Sequence, residues 1–391
     1  MERGKLYMVL CLIVGVFTLS GCIEEYEADI PAEDSNLLVV EGAICSGNVN
    51  KFILSRTQAI KSSDTPQMVT GAKVSVRGSD GSEYMTQETN GYYSCWIDAL
   101  TPDVEYYLHI EADGEVYESE PQKPLRTEKI AEVKAVQYTP ESNIDVLVTP
   151  ATPFDSDKTN YYSWTYDETW EVHSDYTTIL YYDTETLEHK IKVDQFPSLG
   201  WKDATSSTII VGASSNYEGQ HIQKLEMYNI GRGNERMYYR YSCLVHQRAI
   251  SKAEYEYELA RRQAGSEMGG LFTPQPSALP TNIRCLTSNK HVIGYVGCSL
   301  NTSEYRFFLN AKDFSILYPE EEDTRLWLEN PSEEDCCRLV NKGMYLCEWR
   351  TSTSTGMLET AWAFDYQLDV RFKGAYIEEP DFWSLTEDVS Y

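Results

Sequence analysis

Three turn dipeptides punctuate the chain beyond residue 37 and constrain what it can fold into. They are Asp80-Gly81, Asn90-Gly91 and Asp113-Gly114, and they separate segments in which apolar and polar residues alternate. Asn-Gly and Asp-Gly suit the tight turns that join antiparallel strands, because their residues tolerate positive φ. Alternation with a period of two places one side of each strand in a core. Residues 37–127 are therefore predicted to form an Ig-like antiparallel β-sandwich.

The individual strands of this sandwich can be read from the same alternation. The predicted strands are Leu37–Val40, Phe52–Leu54, Ala72–Arg77, Glu105–Ile110 and Glu115–Tyr117. A proline-containing polar stretch that ends near Glu128 indicates the way out of the sandwich.

The remainder, residues 128–391, is predicted to be a larger β-rich domain with one inserted helix. Ser251 and Glu254 have the spacing of a capping box, and Gly265 follows as a stop, so the helix is expected over residues 251–264. Predicted strands in this part are Asp145–Val148, Tyr161–Tyr166, Met237–His246, Val292–Leu300 and Arg306–Leu309. The overall fold class is thus mainly β.

The N-terminus has the organisation of a secretory signal. Arg3 and Lys5 precede an apolar run, Leu6–Phe17, that is too short to span a bilayer comfortably. The run leads into Leu19-Ser20-Gly21-Cys22, the pattern of a bacterial lipobox. Residues 1–21 are predicted to be removed and Cys22 to carry lipid. The alternatives are an ordinary signal peptide or an anchor helix in which Cys22 has no role.

Residues 22–36 form an acidic tether behind the predicted lipid. Glu24, Glu25 and Glu27 lie close to Cys22 and resemble the export tag of surface lipoproteins in Bacteroidota. An outer-membrane position facing the cell exterior is expected on this interpretation. The alternative is a solvated tether on a protein that faces inward, with an acidic composition that follows from the chain as a whole.

The charge of the chain excludes one class of partner. The formal net charge is −28, and removal of Glu2, Arg3 and Lys5 with the signal makes it −29. Nucleic-acid binding requires Lys and Arg to replace counterions on phosphates, so a nucleic-acid partner is not expected. The 29 tyrosines suit both strands and binding faces, and the sequence does not distinguish these uses.

Eight cysteines remain after Cys11 and Cys22 are set aside. Cys45 and Cys95 are the two in the sandwich, and Cys336, Cys337 and Cys347 form a tight group in an acidic, loop-like stretch. An even number in an exported chain favours disulfides over zinc, since no Cys-x-x-Cys or neighbouring His supports a metal site. Free buried thiols are the remaining alternative.

Catalytic motifs are missing from the sequence. The six histidines are scattered, and neither a His-Glu-x-x-His motif, a Gly-x-Ser-x-Gly elbow nor a phosphate-binding glycine loop occurs. The abundant acidic residues do not single out a glycosidase pair, which is defined by separation in space. No catalytic residue, metal or cofactor is predicted.

Several short motifs, taken in order, resemble a large family of Bacteroidota outer-membrane lipoproteins that is classed as a domain of unknown function. Beside the lipobox they are Leu38–Gly42, Leu54–Thr57, Gly71–Val76, Tyr117–Pro121, Ala249–Ser251, Gly269–Phe272 with Pro276, Gly294-Tyr295, Cys336-Cys337 and Pro380–Trp383. The adjacent pair Cys336-Cys337 departs from the spaced cysteines expected of the family.

The resemblance implies a partner protein and does not imply a catalytic activity. Such proteins are found beside SusC-like TonB-dependent transporters, so an accessory subunit that binds a nutrient is expected, with the sandwich docking and the second part presenting the ligand. The alternatives are a surface hydrolase that acts on oligosaccharide or peptide, and a structural or adhesive surface protein.

Overall fold

The computed structural model describes residues 36–57, 67–153, 158–266, 279–320 and 322–384. Strands with alternating buried and exposed residues fill its first part, as the sequence predicts. They are β1 Leu38–Glu41, β2 Ala43–Cys45, β3 Asn48–Arg56, β4 Gln67–Met68, β5 Lys73–Gly78, β6 Glu83–Met85, β7 Gln87–Thr89, β8 Tyr92–Ile97, β9 Tyr106–Ala112 and β10 Glu115–Ser119.

Two of the predicted tight turns have the backbone that their residues favour. Asn90 and Gly91 join β7 to β8 with φ values of 52° and 81°, and Asp113 and Gly114 join β9 to β10 with 52° and 79°. Two consecutive positive φ angles characterise the type I′ turn, whose twist matches that of the flanking strands. These two hairpins are confirmed.

The next stretch of chain contains longer strands and the predicted helix. The strands are β11 Ile130–Val136, β12 Ile144–Pro150, β13 Tyr161–His173, β14 Leu180–Asp183, β15 Glu188–Ile191, β16 Leu199–Thr205, β17 Ile210–Ala213, β18 Leu225–Ile230 and β19 Arg240–Ile250, followed by helix α1, Lys252–Ser266. The strand predicted at Tyr161 extends seven residues further than expected, to His173.

The last third of the chain alternates short strands with two further helices. They are β20 Ile283–Cys285, β21 Val292–Gly294, β22 Gly297–Ser299, β23 Ser303–Asn310, β24 Leu326–Glu329, α2 Glu333–Asn341, β25 Met344–Thr351, β26 Leu358–Phe364 and α3 Asp365–Leu368. Every helix in the described part of the chain is too short or too polar to cross a membrane.

Two packed sheets form the sandwich. One has the strand order β21-β1-β3-β8-β7, with β4 paired to β3, and the other has the order β20-β10-β9-β5-β6. Their facing sides bury an apolar core that includes Phe52, Leu54, Tyr93, Val76 and Ile110. The mainly β fold with an N-terminal sandwich is confirmed.

Strands from beyond α1 complete this sandwich. β21 lies parallel to β1, with Val292 opposite Leu38, and β20 lies antiparallel to β10, with Cys285 opposite Tyr117. The proposed division at residues 127 and 128 places these strands in the second part, yet they extend the sandwich sheets. Local alternation identifies a strand but carries no information about which distant edge it joins.

The second part is built around what we name the central sheet, with the order β16-β13-β19-β23 and β17 paired to β13. A three-stranded sheet, β11-β12-β18, shares its core, which includes Trp164, Tyr166, Tyr241, Val146 and Phe307. A separate small core forms where α2 and the β14-β15 hairpin pack on the sheet β24-β26-β25.

Helix α2 corrects the interpretation of residues 333–337 as a loop. The Ser332 hydroxyl accepts a hydrogen bond from the Asp335 backbone N–H at 3.1 Å, and the Asp335 carboxylate accepts one from the Ser332 N–H at 3.1 Å. This reciprocal capping box starts a helix directly in front of Cys336 and Cys337. The acidic residues that suggested a loop occupy the first helical turn, where negative charge is favoured.

Candidate functional site

The outer face of the central sheet brings together polar side chains from four strands. Along β13 the aromatic residues Tyr162, Trp164 and Tyr166 point into the core, so the intervening residues, Thr165 and Asp167 among them, point outward. The register sets Thr165 opposite His246 of β19, and His246 opposite Glu304 of β23. Residues that are distant in sequence therefore share one surface.

His246 lies between two carboxylates on this face. Its Nε2 is 2.9 Å from Asp167 Oδ2 and its Nδ1 is 3.2 Å from Glu304 Oε1. A neutral imidazole has only one N–H donor, so it can donate a hydrogen bond to only one of the two carboxylates, whereas a doubly protonated ring can donate to both. Both ring nitrogens of His246 therefore face a carboxylate oxygen.

A second carboxylate group continues the face toward β16. Asp203 Oδ1 accepts hydrogen bonds from the Thr169 hydroxyl at 2.7 Å and the Tyr376 hydroxyl at 3.0 Å, and the Thr205 hydroxyl donates to Asp167 at 2.8 Å. Burial raises the pKa of Tyr376, which keeps its hydroxyl protonated as a donor. The carboxylates of Asp167, Asp203 and Glu304 share this surface with the Arg306 guanidinium, so it suits a ligand that both donates and accepts hydrogen bonds, such as one with hydroxyl groups.

One end of the face is covered by the C-terminal strap, which we define as Ala375–Trp383. Trp201 and Tyr376 exchange backbone hydrogen bonds of 2.8 and 2.9 Å. Gly200 makes this approach possible, because a Cβ there would lie 2.5 Å from the carbonyl oxygen of Tyr376. Trp383 is 4 % exposed and its ring contacts the rings of Trp201 and Phe308.

Two arginines of the sheet hold the strap through its aromatic rings. The Arg240 guanidinium lies 4.6 Å from the centre of the Phe308 ring and 5.2 Å from that of Trp383, and it donates a hydrogen bond to the Trp383 carbonyl. The Arg306 guanidinium lies 3.6 Å from the Phe382 ring centre, and burial lowers its pKa. Cation–π contacts of this kind strengthen as water is excluded.

Helix α1 bounds the opposite end. The Ser251 hydroxyl accepts a hydrogen bond from the Glu254 N–H at 3.1 Å, which confirms Ser251 as the N-cap. The Glu254 side chain does not close the predicted capping box. It forms a bidentate ion pair with Arg248 of β19 and lies against Gly297 of β22, so it ties the helix, the central sheet and the sandwich together.

The buried carboxyl of Glu168, behind this face, is not predicted from the sequence. Glu168 is 3 % exposed, accepts a hydrogen bond from the Tyr241 hydroxyl at 2.8 Å and pairs with Arg236 at 2.9 Å. The Tyr228 hydroxyl lies 2.7 Å from that of Tyr241. Burial raises the pKa of Glu168 because it penalises the charged carboxylate. A lone acid among inward-facing aromatics on β13 was the available signal.

A cavity of about 520 Å³ lies elsewhere, between the end of β11 and residues 312–315. Lys134 and Lys312 line it, together with Gln137. The Gln137 amide donates to the carbonyls of Ser142 and Ser315 and accepts from the Ser315 N–H, so it fastens two loops. The cavity lies away from the outer face of the central sheet and stays outside the candidate site.

The predicted lipidation and export residues, Cys22 with Glu24, Glu25 and Glu27, lie outside the described residues. The disulfide candidates, Cys45, Cys95, Cys336, Cys337 and Cys347, are free thiols in the structure, as are Cys243, Cys285 and Cys298. Burial raises the pKa of Cys95 and of Cys347 to about 11, which keeps these thiols protonated and unreactive. The predicted pairing stays a prediction that non-reducing peptide mapping would test.

Within the described ranges, no group of three or more His, Cys, Asp or Glu residues is arranged to hold a metal ion.

Comparison with protein families places the chain. Residues 23–305 match the model described as Domain of unknown function (DUF4249). This segment comprises 283 of the 391 residues. The chain belongs to this family. No curated protein matches the DUF4249 chain. The matched segment contains the sandwich, α1 and the returning strands β20–β22, and it ends inside β23.

Proposed function

We propose that this DUF4249 protein is a lipid-anchored outer-membrane protein that faces the cell exterior and serves as an accessory binding subunit of a SusC-like TonB-dependent nutrient transporter. The observation that carries the proposal is Leu19-Ser20-Gly21-Cys22 directly after a short apolar segment. More than one acyl chain at Cys22 gives stable membrane attachment, where a single chain gives only reversible binding. Glu24, Glu25 and Glu27 support export to the surface.

The proposal assigns different tasks to the two parts of the molecule. The sandwich follows the tether directly and is the docking arm. The outer face of the central sheet, between α1 and the C-terminal strap, is the ligand surface. Support for this assignment comes from three exposed carboxylates on this face. The side chains of Asp167 and Glu304 are 47 % and 54 % exposed, and Asp203 is exposed as well.

The test is affinity purification of the full chain from outer membranes of its own host, solubilised in mild detergent. A TonB-dependent transporter is expected as a stoichiometric companion, identified by mass spectrometry. The matched control is Cys22→Ala, which removes the acylated sulfur and should release the protein from the membrane fraction. Recovery of the wild-type chain without any transporter would contradict the docking role.

Orientation is tested separately by adding protease to intact cells. A surface-facing chain should be digested while a periplasmic marker stays intact. Replacing Glu24, Glu25 and Glu27 together by Gln should leave the lipid in place and protect the chain. Full resistance of the wild type on intact cells, with digestion after lysis, would place the protein inside.

A further inference from the structure

An aromatic and aliphatic strip occupies the open side of one sandwich sheet. On β3 and β8 the side chains of Phe52, Leu54, Tyr93 and Cys95 point into the core. The intervening residues point outward, and we name five of them the Trp96 strip: Val49, Lys51, Tyr92, Ser94 and Trp96.

The strip exposes large apolar side chains next to each other. Val49 lies directly opposite Trp96 in the register, and they are 56 % and 58 % exposed. Tyr92 is 39 % exposed and carries the Lys51 ammonium 4.4 Å above its ring. Tyr92 and Trp96 are four residue steps apart along an extended strand, which is a span of about 13 Å. Such a patch on a folded protein marks an interaction site.

The charge of the strip differs from that of the rest of the chain. The sequence contains 61 acidic residues, yet the outward-facing residues of β3, β7 and β8 include none. These residues are Val49, Lys51, Ile53, Ser55, Gln87, Thr89, Tyr92, Ser94 and Trp96. Depletion of charge together with exposed Trp and Tyr is the composition of a protein–protein interface core.

The position of the strip relative to the tether favours a partner in the same membrane. β3 ends at Arg56, whose guanidinium donates a hydrogen bond to the carbonyl of Asn36, where the described chain begins. Residues 23–36 are fourteen residues and can span at most roughly 50 Å. Lipid at Cys22 would hold Asn36 within that distance of the membrane surface, and Asn36 lies near the Tyr92 end of the strip, since Tyr92 is opposite Ile53 on β3.

Helix α1 reaches the other half of the same sheet through one ion pair. Arg261 of α1 lies 3.3 Å from Glu41 on β1, so the helix stands beside the strand that follows β3 in the sheet. The strip lies on the part of this face that is farther from the helix, across β3 from β1.

We infer that the Trp96 strip is the surface through which this protein docks on the outward-facing surface of the transporter. The inference rests on the proposed function and names its contact surface. A fitting partner presents an apolar pocket for the Trp96 indole, an acceptor for the indole N–H and a carboxylate for Lys51. The aromatic side chains supply contact area at small entropic cost, and Lys51 fixes the orientation.

The experiment is the membrane purification of the full chain, carried out with Trp96→Ala and Trp96→Glu. Trp96 is largely exposed, so both variants should fold, and thermal unfolding of the purified proteins verifies this. Transporter recovery is expected to fall at least about tenfold with Trp96→Glu and by less with Trp96→Ala. Tyr138→Glu is the matched control, because Tyr138 is 68 % exposed in the second part, and it should retain the transporter.

A photo-reactive side chain at Ser94 provides a direct readout. It should form an adduct with the transporter, whereas the same group at Tyr138 should not. If wild-type protein brings down no transporter, the proposed function fails. If the transporter is recovered equally with Trp96→Glu, the strip is not the contact. Loss of polysaccharide binding with unchanged transporter recovery in that variant would overturn the inference in favour of a glycan surface.

Discussion

At the scale of single residues, the molecule is held together by a few side chains that connect distant elements. Glu254 is the clearest case, because its carboxylate pairs with Arg248 of β19 while its own helix cap is made by Ser251 alone. It also lies against Gly297 of the sandwich. A buried ion pair at such a junction is costly to break, since the surviving charge stays desolvated.

Gly297→Ala should destabilise the protein, because the added Cβ would overlap the Glu254 carboxylate. An overpacked site of this kind costs about 1–3 kcal/mol of unfolding free energy. Urea denaturation measures the change. Gly231→Ala is the control, since its Cβ would have only one neighbour, Asn143 Oδ1, at 3.9 Å, and an unchanged Gly297→Ala midpoint would refute the close packing.

Glu168 gives the fold a dependence on pH with a defined sign. Burial raises the pKa of the Glu168 carboxyl above the ordinary 4.5. At a pH between 4.5 and this raised pKa, the native state therefore holds a proton that the unfolded state has released. Stability should therefore fall as pH rises from about 4.5 through the raised value. Glu168→Gln should flatten this slope, measured by urea denaturation at about pH 5 and about pH 7.

The control for that measurement is Glu132→Gln, an exposed carboxylate on β11, which should keep the wild-type slope. A Glu168→Gln protein with the same slope as wild type would show that the carboxyl titrates normally in the fold.

At the scale of elements, the alternation of apolar and polar residues predicts individual strands and hairpins, but it does not predict which distant strands pair. The Asn90-Gly91 and Asp113-Gly114 hairpins follow from local backbone preference, so the sequence predicted them correctly. Helix α2 was missed because its three acids were interpreted as a solvated loop, although Ser332 and Asp335 have capping-box spacing. The site around His246 was missed because its members meet only through the register of three strands.

The C-terminal strap should depend on Trp383. Trp383→Ala would remove the ring that packs on Trp201 and Phe308 and covers Arg240, and a buried Trp→Ala change costs about 3–5 kcal/mol. Thermal unfolding measures the loss, and iodide quenching of Trp fluorescence should show Trp201 becoming accessible. Phe372→Ala is the control, because Phe372 is 61 % exposed and should change stability by less than about 0.5 kcal/mol. Equal effects of both changes would mean that the strap is not anchored by Trp383.

At the scale of the whole molecule, the sandwich is assembled from two separated stretches of chain. Its core includes Ile283, Val292, Val296 and Cys298 in addition to residues from β1–β10. Thr127 and Asn301 exchange hydrogen bonds beside this junction, and the Ser299 hydroxyl donates to the Ala249 carbonyl. Strands from the second part of the chain therefore belong to the sheets and core of the first. A single boundary along the sequence cannot describe this arrangement.

A fragment of residues 37–127 alone should accordingly fail to fold stably. It lacks β20 and β21, which leaves the edges of β1 and β10 unpaired and the core open. Far-UV circular dichroism and amide exchange should show a largely unprotected chain at room temperature. The same fragment with residues 279–302 joined through a flexible linker should regain protection, and a cooperative, stable 37–127 fragment would contradict this account.

The pairing of β10 with β20 also sets an order of events in the life of the chain. The partner residues Ser119 and Ile283 are separated by 163 residues. A ribosome takes roughly 10–30 s to add that many residues, and the edge of β10 has no partner strand throughout that interval. An exposed edge invites pairing with another chain, so the interval before β20 arrives is the one in which this sandwich is most exposed to misassembly.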